Sequence, residues 1–126
     1  MDSFYKLIEE RIQPMNIQIF GTKKCNETKK AERFFKERGI KFQFIDMKEK
    51  GMSRGEFNSV ACVNGGMEAM LDANCKDQNT FMLIKYLAEE DKLEKILANP
   101  QVIKTPIVRN GKQSTIGYQP EVWKEW

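Results

Sequence analysis

The first hydrophobic pattern in the chain has the period of a β-strand. From Asn16 to Phe20 apolar and polar side chains alternate, which places Ile17 and Ile19 on one face. Gly21 follows directly and interrupts the alternation. We therefore predict a strand that leads into a loop.

A helix and a second strand are predicted next. After the loop, Ala31, Phe34 and Phe35 recur at helical spacing, and Gly39 is placed to end the helix. Phe42 and Phe44 then alternate with polar residues, which indicates another strand. A strand-helix-strand unit of this length predicts that its two strands pair in parallel.

The middle of the chain is a block of helical patterns. Ser53 and Glu56 have the spacing of a capping box, so a helix is expected to begin there. Residues 64–66 break it, and a second short helix is expected through 67–71. Helical patterns return from about 80 to 98.

The chain ends in a predicted β-hairpin and a helical turn. Residues 107–109 and 113–116 flank Asn110 and Gly111, a dipeptide typical of tight antiparallel hairpins. Residues 121–126 are expected to add a terminal helical turn. The full order of β-α-β, inserted helical block, β-hairpin and C-terminal helix predicts an α/β thioredoxin-like fold.

The length of 126 residues suits one domain. Phe4, Leu7, Ile8 and Ile12 lie at helical spacing, so residues 1–14 are predicted to form an N-terminal helical extension. Residues 15–126 are predicted to form a single thioredoxin-like domain.

Composition and charge limit the kinds of partner and the cellular compartment that we expect for this protein. The net charge is +3, and lysines alternate with acids instead of forming a block, so neither nucleic acid nor a membrane is expected as a partner. Apolar runs are short, and the first residues do not resemble an export signal. Three widely spaced cysteines suggest free thiols in a reducing compartment, so we expect a cytoplasmic protein.

The chain has no histidine, which excludes histidine-dependent hydrolase triads and most zinc enzymes. We expect no metal site and no bound cofactor. Chemistry must then depend on thiol, carboxylate, amine or backbone groups.

Cys25 is the main candidate for that chemistry. It lies where the first strand gives way to the first helix, and helix N-termini stabilise anions such as thiolates. Lys24, Asn26 and Thr28 are candidate thiolate-stabilising residues, whereas the charge of Glu27 opposes them. The alternative is that Cys25 is only a small residue at the start of a helix.

The other two cysteines are less clear candidates. Thr28 occupies the position of the second cysteine in a C-x-x-C motif, so Cys25 has no local disulfide partner and needs an external thiol such as glutathione. Cys62 and Cys75 are expected to be buried structural thiols, the common role of unpaired cysteines. The alternative for Cys75 is a resolving cysteine.

A substrate groove is expected around the hairpin. Thr105 and Pro106 precede its first strand, and Pro106 is either a cis-proline facing the thiol or an ordinary proline before a strand. Lys104 and Arg109 flank it, and each is either an oxyanion contact or a solvated surface charge.

Two segments carry a family resemblance. IFGTKKCNETKKAERFF near the start and KTPIVRNGKQSTIGYQPEVW near the end resemble the arsenate reductase and Spx family of thioredoxin-fold proteins, over about residues 16–124. For the arsenate reductases, the resemblance implies that Cys25 attacks an oxyanion before glutathione and glutaredoxin complete the reduction. The family's arginine clamp is absent, because Thr105, Tyr118 and Asp72 stand at or near its positions, so arsenate binding is expected to be weak or differently built.

Two classes of function follow from these residues and the resemblance. The first is an arsenate reductase-like monothiol oxidoreductase with Cys25 as nucleophile and glutathione, or a glutaredoxin- or thioredoxin-type protein, as reductant. The second is a binding module that contacts a protein partner such as RNA polymerase, as Spx proteins do. Their local C-x-x-C oxidation sensor is lost here because residue 28 is threonine.

Overall fold

The computed structural model describes residues 16–126, so the extension predicted for residues 1–14 lies outside the described part. The strands are β1 (Ile17–Gly21), β2 (Phe42–Asp46), β3 (Ile107–Asn110) and β4 (Gln113–Ile116). The α-helices are α1 (Asn26–Glu37), α2 (Arg54–Val63), α3 (Gln78–Tyr86), α4 (Glu89–Ala98) and α5 (Pro120–Trp123). Two 3₁₀ turns span Met67–Met70 and Pro100–Val102.

The four strands form one mixed sheet in the order β2-β1-β3-β4. β1 and β2 are parallel, as the strand-helix-strand pattern predicts, whereas β1 with β3 and β3 with β4 are antiparallel. Within the described residues, no helix has both the length and the apolar character needed to cross a membrane.

The central strand β1 is buried on both faces, and the core is accordingly divided in two. Ile17 and Ile19 pack with α1 and Trp123 of α5 on one face. Phe20 belongs to the other core, which includes buried residues of α2, α3 and α4. The molecule is thus a layered α/β fold of the thioredoxin-like kind that the sequence predicts.

Helix α1 ends as the glycine signal predicts. Gly39 has φ +70, a region that favours glycine. Its N–H donates to the Lys36 carbonyl at 3.1 Å, and the N–H of Ile40 donates to the Phe35 carbonyl at 2.9 Å. This pair of hydrogen bonds is a Schellman motif, which sets the end of α1 and the direction of the chain into β2.

The middle block matches the prediction at its start and differs further on. Ser53 and Glu56 form the reciprocal capping box at the start of α2. The expected short helix is a 3₁₀ turn that ends at Met70, and Leu71 instead forms a β-bridge with Ile103. The pattern over 80–98 is two helices, because the backbone is extended at Leu87 and at the residue after it.

The hairpin and α5 complete the sheet and one core. β3 and β4 pair from Asn110 to Gln113 across a two-residue loop in which Gly111 has φ +63. Trp123 is buried, and its indole N–H donates to the Thr115 hydroxyl at 2.8 Å. α5, which covers part of the predicted terminal turn, is thereby fixed against β4.

Candidate active site

Cys25 lies at the start of α1, as the sequence predicts. It is the N-cap residue, with extended backbone angles, and its carbonyl accepts the N–H of Lys29 at 3.2 Å. Its own N–H donates to the Thr22 carbonyl at 3.2 Å, which closes the loop after β1. The side chain is partly exposed, so the sulfur is at the positive end of the helix and accessible.

Hydrogen-bond donors surround this sulfur. The Thr105 hydroxyl donates to Cys25 Sγ at 3.4 Å, and the thiol in turn faces the Thr105 carbonyl at 3.9 Å. Partial burial by itself raises the pKa of Cys25, but hydrogen bonds from Thr105, from Thr28 and from the backbone N–H groups of Thr28 and Glu27 outweigh it. The net pKa is below that of an ordinary thiol, which favours the reactive thiolate.

Thr28 is the other threonine whose hydroxyl influences the thiol of Cys25. It is fully buried, and its hydroxyl oxygen has no hydrogen-bond partner of normal geometry, although it helps to lower the pKa of Cys25. A Cβ added at Gly21 would overlap Oγ1 and Cγ2 of Thr28. The glycine at the end of β1 therefore leaves the space that Thr28 occupies.

The loop before β3 completes this side of the site. The peptide bond between Thr105 and Pro106 is cis, and Pro106 is buried, with its carbonyl accepting the N–H of Gly117 at 2.8 Å. Because β3 pairs antiparallel with β1, this loop lies at the end of the sheet where β1 leads into Cys25. The Thr105 hydroxyl reaches the sulfur from a position 80 residues further along the chain.

Cys25 opens onto a cavity of about 570 Å³. Thr105 and Lys24 line it beside Cys25, and Lys24 is exposed. On another part of the wall lies Cys75, which is buried and whose thiol donates to the Asp77 carbonyl at 3.5 Å. Burial raises the pKa of Cys75, and the negative charge of Asp72 raises it further.

A second cavity of about 830 Å³ adjoins the first. Thr105 and Asp72 line both cavities, and Lys104 lines the second one. Across residues 16–126, no three Cys, Asp or Glu side chains are arranged to hold a metal ion.

The structure corrects the prediction for Arg109. Its guanidinium donates to Gln18 Oε1 at 2.8 Å and lies 3.8 Å from a Glu56 carboxylate oxygen. It lines neither of the two cavities. Arg109 therefore links β3 to β1 and α2, so the alternative of a solvated surface charge is wrong.

Cys62 and Asn26 also lie in environments that differ from the predicted ones. Cys62 is exposed on α2, so the expectation that it is a buried structural thiol is wrong. Asn26 is exposed and lines neither cavity, and the N–H groups that favour the thiolate belong to the next two residues instead.

Sequence reasoning did not identify several residues of the cavity wall. Met47 and Lys48 follow β2, and the carboxyl ends of the parallel strands β1 and β2 meet at one edge of the sheet. The strand-helix-strand pattern could therefore have predicted that these two residues lie near Cys25. Pro100 and Gln101 also line the cavity, but they belong to a 3₁₀ turn that no sequence signal connects to Cys25.

Comparisons with known proteins agree with this fold. The sequence profile described as the ArsC family matches residues 20–126. The chain is 21% identical to the uncharacterized protein YusI of Bacillus subtilis, covering 88% of this chain and 98% of that protein. It is 24% identical to the global transcriptional regulator Spx 2 of Oceanobacillus iheyensis, over 85% and 80% of the two chains. An arsenate reductase from Vibrio cholerae superposes with a TM-score of 0.76 at 22% identity, over 90% and 98% of the two chains.

Proposed function

The chain belongs to the ArsC family, and on that premise we propose that it is a cytoplasmic, arsenate reductase-like monothiol oxidoreductase with Cys25 as its nucleophile. The observation that carries this proposal is the position of Cys25 Sγ at the start of α1. It accepts a hydrogen bond from Thr105 at 3.4 Å and opens onto a cavity. A thiolate held in this way attacks electrophilic sulfur.

The proposed reaction is thiol-disulfide exchange. The Cys25 thiolate attacks one sulfur of a disulfide, the sulfur-sulfur bond breaks, and the second sulfur leaves as a thiolate that takes a proton from water. A second thiol then attacks the mixed disulfide and releases the Cys25 thiolate. Because Thr28 replaces a local second cysteine, this thiol comes from outside the motif, and we propose glutathione or a glutaredoxin- or thioredoxin-type protein. Glutathione is then a co-substrate, with no resident cofactor.

Arsenate is disfavoured as the substrate because none of the arginines within residues 16–126 lines the cavity. The cationic side chains that line it with Cys25 are Lys24, Lys48 and Lys76. Lysine supplies a point charge and does not form the paired hydrogen bonds by which arginine clamps an oxyanion. Asp72 also lines the cavity and repels anions.

The test is a coupled assay in which hydroxyethyl disulfide and glutathione are substrates and glutathione reductase reports turnover through NADPH. We expect turnover by the wild type and by Cys62→Ser, whose exposed thiol lines neither cavity, and background rate for Cys25→Ser. Turnover retained in Cys25→Ser would overturn the proposal.

A glutaredoxin-coupled assay with arsenate is expected to show no arsenate-dependent NADPH oxidation, and a clear signal would restore arsenate as substrate.

The second candidate is a regulatory module that binds a protein partner such as RNA polymerase. It is favoured by the similarity to Spx 2 and by the exposed apolar side chains of α3, Met82, Leu83 and Tyr86. Tyr86 is 81% exposed and forms no part of either cavity. Binding of purified RNA polymerase that survives Cys25→Ser and is lost in Tyr86→Glu would favour the module, whereas no binding by the wild type would remove it.

A further inference from the structure

The two partly or fully buried cysteines of the described chain face the same cavity although 50 positions separate them. Cys75 lies in the irregular segment between the 3₁₀ turn Met67–Met70 and α3, and its side chain is 7% exposed. Its thiol points to the Asp77 carbonyl at 3.5 Å, and its own N–H donates to the Asp72 carbonyl at 3.1 Å. Cys75 is therefore a second thiol in the wall of the candidate active site.

Backbone hydrogen bonds join the segment that leads to Cys75 to the loop that contacts Cys25. The N–H of Asp72 donates to the Val102 carbonyl at 2.8 Å, and the N–H of Lys104 donates to the Met70 carbonyl at 2.8 Å. The loop continues directly to Thr105, whose hydroxyl contacts Cys25 Sγ. These bonds hold the two thiol-bearing walls together.

We propose that Cys75 is the resolving cysteine of this site and that it displaces the external thiol from the mixed disulfide on Cys25. The proposal rests on the proposed function, because it requires Cys25 to form that mixed disulfide first. It assigns to Cys75 the second attack, and the external reductant then acts on the resulting intramolecular disulfide. With glutathione as the external thiol, Cys75 loses its proton to water and its thiolate attacks Cys25 Sγ. The bond between Cys25 and glutathione breaks, and glutathione leaves as a thiolate.

The product is an intramolecular disulfide between Cys25 and Cys75. This disulfide is at the same oxidation level as the mixed disulfide, two electrons above the free thiols. A dithiol protein reductant of the thioredoxin class therefore supplies two electrons to reduce it. Closing the bond brings the two Cα atoms to within about 7 Å. The segment 72–77 contains no helix or strand before α3, and we expect this part of the wall to move when the bond closes.

Charges around Cys75 set the pH dependence of this step. Burial raises the pKa of its thiol, and the carboxylates of Asp72 and Asp77 raise it further. The other charged side chains that line the cavity are Lys24, Lys48 and Lys76. Because only the thiolate attacks, we expect ring closure to become faster as the pH rises from neutral towards the pKa of Cys75.

The experiment treats the full chain with glutathione disulfide and follows intact mass with time in a Cys62→Ser background, which leaves only the two cavity thiols. We expect a glutathione adduct on Cys25 that disappears as a species two hydrogens lighter than the reduced protein accumulates. Peptide mapping should identify a disulfide between Cys25 and Cys75. In Cys75→Ser and Cys75→Ala the adduct should persist, and both variants are compared because the site is buried.

The outcomes separate the two proposals. An adduct that forms on Cys25 and persists equally with and without Cys75 overturns the resolving role and leaves the proposed function intact. A folded chain that acquires neither an adduct on Cys25 nor a disulfide between Cys25 and Cys75 overturns the proposed function and the resolving step with it. Thermal unfolding of each variant shows that it is folded under the conditions of the assay.

A second measurement tests the charge at Asp72. Asp72→Asn keeps the Oδ1 atom that accepts the N–H of Asn74 at 2.9 Å but removes the negative charge. We expect ring closure at neutral pH to become about two- to threefold faster, a modest change because solvent and salt screen the interaction. Asp91→Asn, on α4 and outside both cavities, is the control and should leave the rate unchanged. An unchanged rate in Asp72→Asn would contradict the electrostatic account.

Discussion

Cys25 and Cys75 line the same cavity, yet their sulfurs have opposite surroundings. The wall around Cys25 supplies donors, namely the hydroxyls of Thr105 and Thr28 and backbone N–H groups. The wall around Cys75 supplies a carbonyl acceptor and two carboxylates, at Asp72 and Asp77, and backbone N–H groups oppose the rise in its pKa only in part. Burial acts in the same direction on both thiols, so the sign of each pKa change depends on the polar groups that face the sulfur.

This contrast fits the roles that we propose for the two thiols. The lowered pKa of Cys25 favours its thiolate at neutral pH, whereas the raised pKa of Cys75 favours its protonated thiol there. Cys62 is the most exposed of the three cysteines and lines neither cavity.

Among the substitutions near Cys25, we expect Gly21→Ala to have the largest effect. The added methyl group would overlap the Thr28 side chain and force it away from the sulfur. We expect the free energy of unfolding to fall by about 1–3 kcal/mol, as for overpacked cores, and alkylation of Cys25 to slow. Gly55→Ala in α2 is the matched control, because its methyl group would meet no atom within 4 Å. Equal stability of the two variants in urea would contradict the close packing of Thr28 on β1.

Removing the strongest donor should have the next largest effect. Thr105→Val eliminates the hydroxyl that lies 3.4 Å from Cys25 Sγ while keeping the shape of the side chain. We expect the pKa of Cys25, measured from the ultraviolet absorbance of the thiolate against pH, to rise. The loss of about 1 kcal/mol of hydrogen-bond stabilisation predicts a roughly fivefold smaller thiolate population below the pKa. Thr105→Ser retains the donor and should titrate like the wild type, and a rise in both variants would assign the effect to packing.

Thr28→Val tests the weaker donor and separates it from stability. The substitution removes a buried hydroxyl that has no partner of normal geometry, so we expect stability to be unchanged or slightly increased. The pKa of Cys25 should nevertheless rise, by less than in Thr105→Val, because the hydroxyl favours the thiolate. A large loss of stability with no change in the titration would show that Thr28 acts through packing alone.

The smallest expected effect concerns the free energy of unfolding. Cys25 and Cys75 should make it depend on pH in opposite directions. Cys25, with its lowered pKa, contributes stability above the ordinary thiol pKa of about 8.5 that is lost as the pH falls through its folded pKa. Cys75, with its raised pKa, contributes stability below about 8.5 that is lost as the pH rises through its folded pKa.

The measurement is urea unfolding at about pH 7 and about pH 9.5, on either side of the ordinary thiol pKa. With rising pH, the stability of the wild type relative to Cys25→Ser should increase, and its stability relative to Cys75→Ser should decrease. Each change is expected to be about 0.5 kcal/mol or less because solvent screens these groups. If both stability differences changed with pH in the same direction, the opposite pKa changes of Cys25 and Cys75 would be refuted.

The sequence by itself determined the features that depend on neighbouring residues. The β1-α1-β2 unit, the capping box at Ser53, the glycine that ends α1 and the place of Cys25 at the start of α1 all follow from spacings of a few positions. Such local hydrogen bonds and turn geometries require particular residue types close together in the chain, which makes them visible without coordinates.

Only the tertiary structure decided which distant groups meet. Thr105 contacts Cys25 across 80 positions, and Arg109 contacts Gln18 and Glu56. Cys75 lies in the cavity wall, whereas Cys62 is exposed on α2. These outcomes depend on strand order, on register and on the face that each helix buries. The physical reason is that long-range contacts come from the packing of whole elements, so no local pattern specifies which side chain a given sulfur will face.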